Sequence, residues 1–307
     1  MKYFPEEEKD SLEIPENFEQ AFFRNPFLTT DLSRTVALKT KGLIDNTDIK
    51  ILSYIYETKF CTKSQLKRFA DYSGIEEDDL NARLEVMFSN TIINKFGFVD
   101  EENYKGKLPD DIKVFYCLHD GGKHLLDNFS GEDYINWEAG MVVCHSKIVT
   151  KTLISSELYT QFLLASSPLV FHTRRPLYTI KSDRFWGGDD YCLSKGETPY
   201  YYICDTFLAS EKANTVRNKL RSYESVFSSQ IWKRYYVDGG QAPVLIFVTD
   251  DDTSAGALAG QIKTYFRFPN GYLITTKSRL LSGVNTPGAF LYYNKEQDCL
   301  NPTNLSI

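Results

Sequence analysis

Histidine, methionine and tryptophan are scarce in this chain, with 4, 3 and 3 residues among 307. His119, His124, His145 and His172 never stand at the i, i+4 spacing with which a helix offers two imidazoles to zinc. The six cysteines, Cys61, Cys117, Cys144, Cys192, Cys204 and Cys299, lie far apart, with no Cys-x-x-Cys pair, which argues for reduced, mostly buried thiols. Also missing are a Gly-rich phosphate loop, a Gly-x-Ser-x-Gly elbow and a nucleophilic triad, so the common nucleotide and acyl-transfer chemistries have no anchor. No apolar run reaches the length that spans a bilayer, and the opening, with Lys2 close to Glu6, Glu7 and Glu8, lacks a signal-peptide core. A cytoplasmic protein without a membrane partner is expected. Cationic excess is lacking too: 35 Lys and Arg against 41 Asp and Glu give a net charge of −6. Contact with a polyanion must then be local.

What is present is apolar substance. A hydrophobic content of 42%, with 21 Phe and 20 Tyr, suits a globular chain, and 307 residues allow two domains with cores of their own. There is no internal repeat and no low-complexity tract.

The stretch from Asp45 to Leu126 is the most informative, because its apolar spacing changes from helical to alternating. Ile51, Leu52, Ile55 and Tyr56 share one side of a helix. Thr62 and Gln65 form a capping-box pair ahead of Leu66, Phe69 and Ala70, and Ser73 and Glu76 repeat the signature ahead of Leu80, Leu84, Met87 and Phe88. From Ile92 the period shortens: Ile93, Lys95, Gly97 and Val99 alternate with Ile92, Asn94, Phe96 and Phe98. A polar loop from Asp100 to Asp111 leads to a second alternating run with Val114, Tyr116 and Leu118 on one face. Asp120 then caps a short helix through Leu125. Three helices followed by two strands around a charged loop describe a winged helix-turn-helix over residues 44–127, whose third helix usually enters a major groove.

Charge qualifies that reading. Acidic residues outnumber basic ones between Asp45 and Leu126, and Glu76, Glu77, Asp78 and Asp79 occupy the first turn of the expected recognition helix. Acids there suit the helix dipole and need no functional explanation. A protein-binding winged helix is therefore a live alternative. The cations that can form a one-sided DNA-binding patch are Lys63, Lys67, Arg68, Arg83, Lys95, Lys105 and Lys107.

Residues 1–43 read as an N-terminal arm, acidic at first and then carrying Phe18, Phe22, Phe23 and Phe27. Such a segment is either a flexible tail or packs across the winged helix or a dimer partner. A polar linker follows over residues 128–140. Over residues 141–307 the pattern gives a helix from about Met141 holding Glu157. Strand-like runs follow at Leu169–Phe171, Leu177–Ile180, Tyr191–Leu193 and Tyr200–Phe207, with Gly187 and Gly188 read as a turn. A cationic helix then runs from Lys212 to about Phe227, followed by a buried strand at Val244–Val248, a helix from Ala255 to Phe266, and closing strands at Tyr272–Thr275 and Phe290–Tyr293. The order α-β-β-β-α-β-α-β is a mixed-sheet α/β domain, so the chain as a whole is expected to be α+β. Arg217, Lys219 and Arg221 extend the candidate DNA-contacting set; a solvated helix face explains them equally well.

This order resembles the core of restriction-endonuclease-like domains, in which a helix Glu, a hairpin Asp and a Glu-x-Lys strand hold Mg²⁺ and activate water. Glu157, Asp183 and Asp205 are the candidate carboxylates. Ile203 and Phe207 flank Asp205 where an acid and a lysine would be needed, and one carboxylate cannot build a Mg²⁺ site. The pairing of Val114, Tyr116, Leu118 and Gly121–Gly122 with His145, with Arg174, Arg175 and Pro176, and with Asp205 followed by Lys219 and Tyr223 resembles the replication-relaxation family of plasmids and integrative conjugative elements. The resemblance covers roughly Asn46 to Thr249. It implies a DNA-binding accessory protein for plasmid replication or conjugative transfer, built from a winged helix and a nuclease-like domain, working on double-stranded DNA beside a relaxase or replication protein. Leu177 stands where the family often has Asp, and Ile203 where it often has an acid. The expectation is accordingly a noncatalytic homodimer that needs no cofactor, with a Mg²⁺-dependent nuclease and a protein-only adaptor as the alternatives.

Overall fold

The computed structural model describes residues 3–4, 12, 14–100, 108–131, 136–165, 169–173, 176–178, 184–195, 198–234, 236, 242–266, 271–294 and 296–305. The chain is α+β and divides into two compact units, Met1–Ser156 and Glu157–Ile307.

In the first unit, α1 (Leu32–Thr40) follows β1 (Glu19–Phe22), and α2 (Asn46–Thr58) starts from a capping box of Asp45 and Asp48. Ile51, Leu52 and Ile55 are fully buried on one side of α2, as their spacing requires. The chain then turns sharply at Lys59, whose φ of 62° and ψ of −50° form a γ-turn closed by Phe60 N–H to the Thr58 carbonyl at 2.7 Å. The Ser156 hydroxyl lies within hydrogen-bond distance of both flanking carbonyls, 2.8 Å from that of Thr58 and 2.7 Å from that of Phe60.

The two-residue strand β2 (Cys61–Thr62) runs straight into α3 (Lys63–Tyr72). The box expected there is present: Gln65 N–H donates to Thr62 Oγ1 at 3.2 Å, and Thr62 N–H to Gln65 Oε1 at 2.9 Å. The second expected box is not. Ser73 ends α3, Gly74 takes a φ of 72°, and Ile75 N–H closes back on Ala70 O at 2.9 Å. This glycine-terminated end uses Ser73 up, so α4 (Glu77–Ser89) starts from Glu76 without a side-chain capping bond.

β3 (Ile93–Val99) and β4 (Phe115–Leu118) form an antiparallel pair, and the sheet order is β1-β3-β4-β2. The half-exposed alternation expected of them does not hold, since every residue of β3 but Lys95 is buried. The arm is the cause. β1 pairs along β3 from Glu19↔Val99 to Phe22↔Phe96, Phe4 N–H donates to Phe98 O at 2.8 Å, and Phe4, Leu12, Ile14 and Phe18 are buried. Of the two readings of the arm, the structure takes the packed one.

The helix expected from Asp120 is α5 (Asp120–Phe129), longer than anticipated and preceded by His119 as its cap. A short 3-10 turn occupies Ala139–Val142, so α6 starts later than Met141 and spans Ser146–Leu163. The unit boundary falls inside this helix and not at the 128–140 segment. The reason is visible in its first half: Thr150 Oγ1 accepts from Ile14 N–H at 3.3 Å, Leu153 O accepts from Gln65 Nε2 at 3.4 Å, and Ser156 bonds beside the γ-turn.

The second unit is built on β5 (Leu169–Thr173), β6 (Pro176–Tyr178), β7 (Arg184–Trp186), β8 (Asp189–Lys195), β9 (Thr198–Thr206), α7 (Ala213–Ser228), β10 (Val244–Thr249), α8 (Asp252–Tyr265), β11 (Tyr272–Thr276), α9 (Lys277–Leu281), β12 (Phe290–Asn294) and β13 (Cys299–Thr303). Seven strands form one mixed sheet in the order β13-β12-β11-β10-β9-β8-β5, with β6 and β7 as a separate hairpin. β9, β10 and β11 are parallel, and the remaining pairings are antiparallel. One face, with Ile203, Phe207, Leu245 and Phe247, packs against Val216, Leu220, Tyr223 and Phe227 of α7 and Leu258 and Ile262 of α8. The opposite face carries Tyr191 and Tyr202, whose rings lie 4.9 and 6.0 Å from that of Phe162 in α6.

Candidate functional site

Two groups of side chains are candidates for a functional site, one in each unit. In the second unit the group forms where the start of β8 lies beside the end of β9, with Asp189 opposite Cys204 and Asp190 opposite Ile203. The backbones approach closely at Gly188, where a Cβ would sit 1.8 Å from the Cys204 carbonyl oxygen. Gly188 is thus more than a turn residue, because no other side chain fits.

Opposed residues of antiparallel strands point to the same face. Asp189, Tyr191, Tyr202 and Cys204 therefore share the α6 face, while Asp190, Ile203 and Asp205 share the α7 face. Asp205 Oδ1 accepts from Lys219 Nζ at 2.7 Å and from Thr206 N–H at 2.8 Å, and Oδ2 accepts from Tyr223 OH at 2.6 Å. Gly188 N–H donates to that phenol at 2.7 Å, and Tyr236 OH donates to Asp190 at 2.8 Å. Burial, then the Asp205 charge, pushes the Tyr223 phenol well up, so it stays a neutral donor. Burial first, then Asp189, Asp190 and Asp205, does the same for the Cys204 thiol, which leaves it inert.

Of the candidate nuclease carboxylates, Glu157 and Asp205 are not brought together here. Asp205 faces α7, whereas Glu157 belongs to α6 across the sheet and accepts from Gln161 Nε2 at 2.8 Å. Asp183 lies outside the described residues. The lysine absent from the strand is supplied by α7, where Lys219 neutralises Asp205. With both Asp205 oxygens occupied, these residues do not fit a Mg²⁺ ion, and among the described residues no three His, Cys, Asp or Glu side chains are grouped as metal ligands. On the α6 face, Cys204 and Thr206 occupy the strand positions that a carboxylate and a lysine would need.

In the first unit, a cleft of about 310 Å³ is lined by Thr62, Lys63, Ser64, Lys67, Glu77, Lys113 and Val114. Lys63 and Lys67 come from the first turns of α3, Lys113 from the residues ahead of β4. Lys113 is almost fully buried, and its amine stands 5.2 Å from the centre of the Phe4 ring. Lys67 is exposed and pairs with Glu77 at 2.5 Å. The sequence reading missed Lys113; its one signal was a lysine immediately before the alternating run from Val114.

Several of the other expected DNA-binding cations are engaged within the fold. Arg83 is held by Asp79 at 2.9 Å, Asp45 at 3.0 Å and Asp48 at 3.1 Å. Lys95 pairs with Glu85 at 2.8 Å and lies 4.1 Å from the centre of the Phe88 ring. Arg68 is half-buried on α3, Arg217 lies over the Tyr265 ring at 4.9 Å, and Arg221 is exposed on α7. Lys105 and Lys107 lie outside the described residues.

Among the described residues no helix is long and apolar enough to cross a membrane. No protein-family description, curated protein or solved structure matches the chain.

Proposed function

We propose that this chain is a noncatalytic DNA-binding accessory protein, with a winged helix in its first unit and a restriction-endonuclease-like scaffold, no longer equipped for cleavage, in its second. The element order α2-β2-α3-α4-β3-β4 supports the first assignment. The meander β5-β8-β9 between α6 and α7, continued by the parallel β10, supports the second. The observation that carries the DNA reading is the pair of exposed lysines, Lys63 and Lys67, on one cleft at the start of α3, with the buried Lys113 also in its lining. Duplex phosphates are the natural occupants of such a cleft. The resemblance to the replication-relaxation family supports a role in plasmid replication or conjugative transfer, beside a relaxase or replication protein.

A second reading, a protein-only adaptor, is favoured by α4. Its exposed side carries Glu76, Glu77, Asp78, Asp79 and Glu85, and its single basic residue is tied to three carboxylates. A helix with that surface repels a major groove.

Fluorescence anisotropy with duplex DNA from the gene's own neighbourhood separates the two. Lys63→Glu with Lys67→Glu is expected to weaken binding by at least about tenfold and to lower the salt slope by about two. Unchanged binding would remove the cleft from the DNA reading, and absence of wild-type binding would leave the adaptor. Supercoiled plasmid incubated with Mg²⁺ or Mn²⁺ is expected to stay intact. Nicking that disappears in Asp205→Ala would overturn the noncatalytic assignment.

A further inference from the structure

We propose that the first unit pairs with a second copy of this chain, the exposed apolar and basic side chains of residues 27–43 in each copy lying on the acidic start of α4 in the other. Within this stretch Phe27, Leu28, Leu32 and Leu43 are 60, 47, 46 and 56% exposed, and α1 buries only Thr35. The segment that leads into α1 is fixed. Thr30 N–H donates to Asp120 at 2.7 Å, His124 Nε2 stands 3.0 Å from Thr30 O, and His119 Nε2 stands 3.2 Å from Asn25 O. A fixed backbone thus holds four large apolar side chains out toward water within one short stretch, and this exposure is what a partner would cover.

Charge selects the occupant. Arg34 and Lys41 are exposed and take part in no ion pair among the described residues, and Lys39 bonds the neutral Asn46 at 2.6 Å. Packing this face on its own twofold image would set like charges against each other, which is unfavourable at an interface. The start of α4 offers the opposite sign at the exposed Glu76 and Asp78, with Ala82 and Val86 exposed further along the helix, while Glu77, Asp79 and Glu85 are already paired with Lys67, Arg83 and Lys95.

The two faces also flank one junction in the same unit. Lys39 reaches Asn46 at the start of α2, and Arg83 of α4 reaches the adjacent Asp45 at 3.0 Å. A twofold axis near Asp45 places each basic face on the other copy's acidic face in one closed, self-complementary contact, and no fibre results. The pairing needs no DNA and does not rest on the DNA reading.

Sedimentation velocity on the full chain over a dilution series, without DNA, tests it. The wild type is expected to dimerise, and less tightly as salt rises. Arg34→Glu with Lys41→Glu, and separately Glu76→Lys with Asp78→Lys, should each weaken self-association by about a hundredfold while leaving the circular dichroism spectrum unchanged. Mixing the two variants should restore a one-to-one dimer, because both contacts then join opposite charges. Mere destabilisation would not give that rescue. A wild type that stays monomeric, variants that still dimerise alone, or variants that stay apart when mixed would each overturn the pairing.

Discussion

Asp205 shows how a residue type that suits metal chemistry can serve packing instead. Its two oxygens take hydrogen bonds from Lys219, Tyr223 and the Thr206 N–H, and so fasten α7 to the end of β9. Removing the carboxylate leaves a half-buried ammonium and a buried phenol without their acceptor. Asp205→Ala is expected to cost about 2 kcal/mol, less than a fully buried pair because Lys219 still reaches water. Urea unfolding measures the loss; an unchanged midpoint would mean the network contributes nothing. His119 makes a second residue-scale prediction. Its Nδ1 accepts from Asp120 N–H at 2.8 Å and its Nε2 lies 3.2 Å from the Asn25 carbonyl, a pattern that the neutral ring with its proton on Nε2 satisfies. Burial, the largest influence, holds its pKa below the ordinary value of 6.5. The unfolded chain therefore takes up this proton first. The stabilisation is complete above the unfolded pKa and is lost as pH falls from about 6.5 through the lower folded value. Thermal unfolding between about pH 7.5 and pH 5 should show that decline, with a flatter profile in His119→Asn; identical profiles would contradict it.

At the scale of elements, the sequence displayed most of what local chemistry decides. The spacing of Ile51, Leu52 and Ile55, the Thr62–Gln65 box, the apolar run at Val244–Val248 and the amphipathic pattern around Leu220 and Tyr223 all depend on neighbours a few residues away, and these elements stand where that pattern puts them. What stayed hidden depends on distant partners. Nothing near Lys95 or Phe98 announces that β1, more than seventy residues earlier, will cover the open edge of β3. Asp205 could not be assigned to a face without its register to Asp189 and Asp190, and Lys219 could not be recognised as its partner from a strand-based Glu-x-Lys pattern. The α4 start was misplaced because Ser73 suits either a helix end or a helix beginning, and Gly74 decides between them. The β1 finding carries its own prediction. Deleting residues 1–24 removes the strand paired with β3 and uncovers Phe96 and Phe98, so the thermal midpoint should fall by about 10 °C or more. A midpoint equal to that of the full chain would show the arm to be dispensable.

For the whole molecule, the two units answer different questions. The second carries the Asp205 network, whose two oxygens are taken by Lys219, Tyr223 and Thr206 N–H, and the first carries the lysine-lined cleft. Completing the first unit also has an order in time. The γ-turn at Lys59 holds a non-glycine residue in a disfavoured region, and the hydroxyl within hydrogen-bond distance of both flanking carbonyls belongs to Ser156, 98 residues beyond Thr58 and 96 beyond Phe60. A ribosome delivers the turn long before it delivers that hydroxyl. During the interval α2 and α3 can form from their own caps, but the bend between them has only its local bonds, such as Phe60 N–H to Thr58 O, to hold it. The first unit therefore remains a partly assembled nascent chain until α6 has left the exit tunnel, by which point synthesis has already reached the second.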